Sequence, residues 1–133
     1  GDYAGLCAFM GCYAQLAITR EESGFALSLI SRIAMDQPYA IAPSEEIPAE
    51  RVHLPWESSS VRLRARFDFR ELRDQVCFDY WQDDRWVAIG EPHQLVYRLD
   101  HFVGCRIGLF CYATRKAGGS AVLADFTYRV DEP

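Results

Sequence analysis

The sequence predicts an all-β chain of about nine or ten short antiparallel strands, closed as a β-sandwich or barrel. Three observations carry that prediction. Apolar and polar residues alternate with period two over most of the 133 residues, the pattern of strands with one face against a core. No stretch keeps a helical period beyond one turn at Arg70-Glu71-Leu72-Arg73-Asp74. Half of the residues are hydrophobic and 14% are aromatic, which argues against disorder and, at this length, for one domain.

Taken in order, Gly5 to Phe9 is a short apolar strand broken by Gly11, and Tyr13 to Thr19 resumes it. Arg20-Glu21-Glu22-Ser23-Gly24 is a polar turn. Phe25, Leu27, Leu29 and Ser31 then alternate with Ala26, Ser28, Ile30 and Arg32, giving a strand with one apolar face. From Met35 to Trp56 the alternation dissolves. Pro38, Pro43, Pro48 and Pro55 have no N–H for a ladder, so this stretch reads as a long loop with a short edge strand at Arg51-Val52-His53-Leu54. Loops of that length in a compact domain are often functional.

The clearest strand runs from Val61 to Phe69, with Val61, Leu63, Ala65, Phe67 and Phe69 on one face and Arg62, Arg64, Arg66 and Asp68 on the other. The arginine row reads as a solvated outer face. Gln75 to Tyr80 and Arg85 to Ile89 form a hairpin around Gln82-Asp83-Asp84, closed by Gly90-Glu91-Pro92. Leu95 to Leu99, Cys105 to Thr114 and Ala121 to Val130 complete the strands, with a turn at Lys116-Ala117-Gly118-Gly119-Ser120 between the last two.

The composition excludes several functions. A net charge of −5 and a pI near 5.1 have the wrong sign for nucleic acid or an anionic bilayer. The sequence contains no Asn, so it has no glycosylation sequon and lacks the amide ligand common in calcium-assisted lectin sites. No metal and no cofactor are expected. Cys7, Cys12, Cys77, Cys105 and Cys111 are odd in number and four lie in apolar runs. They read as buried free thiols of a reducing, cytoplasmic setting rather than a disulfide framework.

Catalytic patterns are sparse. His53, His93 and His101 have no partner set by spacing, since Asp100 and His101 are neighbours on extended chain and point apart. No G-x-S-x-G elbow or phosphate-cradling glycine loop is present. Aromatics are more informative. Trp81, Trp56 and Tyr97 sit in or beside loops with polar neighbours, where a ring gives a sugar a flat surface to stack on, whereas Trp86 reads as core.

Several segments match a known family together and in order. They are Ala4-Gly5-Leu6-Cys7-Ala8-Phe9, then Phe78-Asp79-Tyr80 with Trp86-Val87-Ala88-Ile89-Gly90, then Leu99-Asp100-His101-Phe102-Val103-Gly104-Cys105-Arg106-Ile107-Gly108-Leu109-Phe110, and last Ala124-Asp125-Phe126-Thr127-Tyr128. The chain resembles the C-terminal concanavalin A-like β-sandwich of glycoside hydrolase family 43, which follows the catalytic domain of β-xylosidases and α-arabinofuranosidases. The resemblance implies a jelly-roll sandwich that is not an enzyme by itself and whose partner is a catalytic five-bladed propeller. It implies xylan or xylo-oligosaccharide as the substrate, with this domain shaping the pocket. By match to the family's Phe-x-Gly sequence, Phe102 is the aromatic that approaches that pocket and Gly104 permits the turn. Relatives usually have strands ahead of the Ala-Gly-Leu segment, so this stretch is expected to lack its N-terminal strands. The alternative reading is a structural or homo-oligomerising sandwich with no ligand of its own.

Overall fold

A computed structural model describes residues 1–34, 44–55, 58–97 and 103–131. Eight strands are present: β1 (Asp2–Met10), β2 (Cys12–Glu21), β3 (Gly24–Ala34), β4 (Ser44–His53), β5 (Leu63–Asp68), β6 (Gln75–Gln82), β7 (Arg85–Gln94) and β8 (Arg106–Ala113). They form a five-stranded sheet of order β4-β3-β2-β1-β8 and a three-stranded sheet of order β5-β6-β7. Every pairing is antiparallel. The two sheets make a concanavalin A-like sandwich.

The alternation sets the layers. Even-numbered residues of β1 and β2 face inward, and Ala8, Ala14 and Leu16 meet Leu27 of β3 in the core. The second sheet supplies Val76, Phe78, Tyr80 and Ile89, and Leu95 closes the cluster. Such buried aliphatic and aromatic side chains each contribute about 1.5–3 kcal/mol relative to exposure. Strand β5 approaches β1 and β7 approaches β3, which aligns the smaller sheet with the middle of the larger one.

Four expectations need correction. The proline-rich stretch contributes a ten-residue strand, β4, rather than only a short edge piece. It is an edge strand, and its register against β3 shifts between Leu29 and Ser31, opposite Pro48, where the missing N–H breaks no regular ladder. Gly90-Glu91-Pro92 does not close the hairpin. Strand β7 continues to Gln94 through an irregularity between Val76 and Phe78 of β6. Gly90 there has φ of +69°, a left-handed conformation that favours glycine, and a Cβ on it would have to displace the Leu29 methyl 2.2 Å away. Leu95 to Tyr97 is not a strand; Leu95 is held instead by its N–H donating to Asp74 O at 2.7 Å.

The fourth correction concerns the end of the chain. Ala121 to Val130 joins no ladder, although its alternation is that of a strand. Val122, Phe126, Tyr128 and Val130 are 62–93% exposed. Inner-face residues of β8 share this condition: Ile107, Leu109 and Cys111 pair with inward Ala8, Leu6 and Ala4, yet Ile107 is 40% and Leu109 44% exposed. Among the described residues no strand of the smaller sheet lies opposite β8. The sandwich is complete over β1, β2 and β3 and open over β8.

Candidate functional site

The outer face of the five-stranded sheet carries a neutral, aromatic-lined cavity of about 470 Å³, bordered by Tyr3, Tyr13, Gln15, Ile30, Tyr112 and Thr114. Period two puts these residues together. Tyr3 pairs with Tyr112 across β1 and β8, and Gln15 pairs with Ile30 across β2 and β3, all pointing away from the core. Between them runs a register row of Phe110, Gly5, Ala17 and Ser28. Gly5, Ala17 and Ser28 are small and buried, so this row adds no exposed side chain to the outer face of the sheet. A Cβ on Gly5 would fall 1.9 Å from Leu16 O, so no side chain fits at that point.

The rim is ordered by its own contacts. Tyr3 and Tyr112 stack at 5.2 Å and 16°, and Phe110 lies 5.6 Å from Tyr112 at 29°. Gln15 Nε2 donates to Tyr112 Oη at 2.7 Å. At the end of β8, Thr114 bonds the first residue, its N–H and Oγ1 both donating to Gly1 O at 3.0 Å. Ser28 Oγ is buried on the same sheet face without a hydrogen-bond partner among the described residues. The lining offers phenol, amide and hydroxyl groups, which donate and accept hydrogen bonds, beside aromatic and aliphatic surface.

A second patch lies on the outer face of the three-stranded sheet. Trp81 and Trp86 are cross-strand partners in edge-to-face contact, centroids 5.2 Å apart at 76°. Trp86 is therefore not core: Tyr80 and Val87 take the inner face, and the Arg64 guanidinium lies 4.3 Å over the Trp86 ring. Beside them Asp79 is buried between two arginines, with Arg66 Nε at 2.7 Å and Arg64 Nε at 3.1 Å. Burial is the largest single influence on that carboxyl and raises its pKa. The hydrogen bonds from Arg66 and Arg64 together outweigh it, so the pKa lies below the ordinary value. The arginine row is thus partly neutralised by a carboxylate from the neighbouring strand.

Three of the sequence candidates lie within the described residues. Trp81 is half-buried on the outer face of the smaller sheet, while Tyr97 is 38% exposed beyond β7. Gly104 is exposed, and a Cβ there would meet nothing within 4 Å. Phe102 and Trp56 lie outside the described residues. All five cysteines are free, and Cys111 is exposed rather than buried. Among the described residues no group of three or more His, Cys, Asp or Glu is placed to hold a metal ion.

Sequence reasoning missed Tyr3, Tyr13, Gln15 and Tyr112 as a set. They come from three strands, and the local signal in the sequence is the i, i+2 spacing that puts Tyr13 and Gln15 on one face of β2.

No curated protein and no solved structure matches the chain. The model of the beta xylosidase C-terminal concanavalin A-like domain family matches residues 1–129. The two-sheet architecture and this match over nearly the whole length agree: the chain belongs to the C-terminal concanavalin A-like domain family of family 43 glycoside hydrolases, the non-catalytic domain linked to a catalytic one.

Proposed function

We propose that this domain is an accessory module of a xylan- or arabinoxylan-degrading enzyme, a β-xylosidase or α-arabinofuranosidase, which packs against the rest of its polypeptide and shapes the substrate pocket. The observation that carries this reading is the open side of the sandwich. Ile107 and Leu109 expose apolar surface on the inner face of β8, and Leu123, Phe126 and Tyr128 are exposed in the segment that follows it. Exposed apolar surface on a core-facing side is the mark of an interface. Part of the cover is assigned to strands preceding Gly1 in the parent polypeptide, which would lie opposite β8. The connection from β7 to β8, containing Phe102, then serves as the element that reaches the pocket of the propeller.

The test uses the two-domain enzyme. Leu109→Glu should lower its melting temperature by at least about 3 °C, because an uncompensated charge would be buried at the contact. Phe102→Ala should lower kcat/KM on a short xylo-oligosaccharide by about tenfold, the loss of one good aromatic contact. An unchanged melting temperature refutes the packing role, and unchanged kcat/KM refutes pocket shaping. An isolated chain that forms a stable homodimer through β8 would instead favour oligomerisation.

A further inference from the structure

We propose that the cavity on the outer face of the five-stranded sheet is a binding site for a neutral saccharide. Among the described residues its lining is Tyr3, Tyr13, Gln15, Ile30, Tyr112 and Thr114, with no charged side chain. A charged ligand would lose hydration there without gaining a counter-charge. A pyranose or furanose ring is suited to it, since its apolar faces match flat aromatic surface and its hydroxyls match groups that both donate and accept. The volume of about 470 Å³ lies within the usual range for small-molecule sites, about 300–1,000 Å³.

The site is also preorganised. The Gln15–Tyr112 hydrogen bond of 2.7 Å and the Tyr3–Tyr112 stack of 5.2 Å fix the rim before a ligand arrives, which limits the ordering that binding would cost. Beside the cavity, Ser28 Oγ is a buried hydroxyl without a partner among the described residues. Such groups are uncommon in native interiors and are satisfied by whatever polar group comes within reach.

Location separates this site from the proposed packing surface. Tyr112 and Tyr3 point outward, whereas Leu109 and Cys111 occupy the opposite face of the same sheet, so a ligand in the cavity and a partner on β8 do not compete. The choice of probe rests on membership in a glycoside hydrolase family; the existence of the site does not rest on the packing role.

The experiment is a calorimetric and NMR titration of the 133-residue chain with β-1,4-xylohexaose and, separately, α-1,5-arabinohexaose, each to about 10 mM. Binding of at least one is expected, and the tighter of the two identifies the sugar. Gln15→Ala and Tyr13→Ala should each weaken it at least about fivefold, Tyr13→Phe should weaken it less, and Trp81→Ala should leave it unchanged. The same spectra report whether each variant is folded, and Tyr13→Phe keeps the ring in place should the alanine variant fail to fold. No binding of either sugar overturns the proposal. Binding that survives the cavity substitutions and is lost in Trp81→Ala also overturns it. Neither failure touches the packing role, which is read from the two-domain enzyme.

Discussion

Leu16 of β2 and Leu109 of β8 belong to the same sheet and point to the same side of it, yet Leu16 is fully buried and Leu109 is 44% exposed. The difference comes from the opposite layer. Leu16 belongs to one buried cluster with Val76, Phe78 and Tyr80 of the smaller sheet, while inner-face Ile107 and Leu109 of β8 are exposed. Alternation decides which way a side chain points; a second layer decides whether that direction is an interior.

This contrast can be broken or sharpened by substitution. The largest effect is expected for Leu16→Ala, which empties a packed position and should cost about 3 kcal/mol in denaturant unfolding of the chain. Leu109→Ala in the same chain should cost under about 1 kcal/mol. Equal costs would show that β8 is already covered and would remove the reason for an interface there.

A smaller effect is expected on the outer face of the covered half. Asp79→Ala leaves Arg64 and Arg66 without their shared carboxylate and should cost about 1–2 kcal/mol, moderated because both arginines are partly exposed to water. The folded-state pKa of Asp79 is depressed below the reference value of 3.8, so its contribution is present above that value. It is lost as pH falls through the depressed folded value. Acid titration of stability in Asp79→Asn should lack this component.

The smallest effect is expected at His93, buried in the covered half, where desolvation lowers its pKa below 6.5 and Nε2 has no partner among the described residues. Below pH 6.5 the unfolded chain gains a proton that folded His93 resists. Stability should therefore fall as pH drops from 6.5 toward the lowered folded value and level off below it. Melting curves of His93→Gln should be flatter across that interval, and an unaltered slope would place the acid sensitivity elsewhere.

The strands were legible where alternation was undiluted, as in Leu63-Arg64-Ala65-Arg66-Phe67, which became β5 with its faces as expected. Strand β4 was less so, because prolines read as ladder breakers unless the strand is known to lie at an edge. Trp86 illustrates a similar limit. Its apolar neighbours Val87 and Ile89 suggested core, but strict alternation from buried Ile89 puts residue 86 on the outer face, beside Trp81. The cavity was not legible, since Tyr3 and Tyr112 come from opposite ends of the chain and meet only through the pairing of β1 with β8.

By itself the sequence determined an all-β chain, the inward and outward sets of most strands, and membership in an accessory-domain family. These are local properties: side-chain direction follows backbone pleat, and motif order is carried along the chain. Tertiary structure alone decided that Leu16 is interior and Leu109 surface, that Asp79 sits between two arginines, and that four strands bring Tyr3, Gln15, Ile30 and Tyr112 around one neutral cavity. Burial and convergence depend on which strands pair and which layer lies opposite. Those contacts link residues far apart in the chain, and no local pattern encodes them.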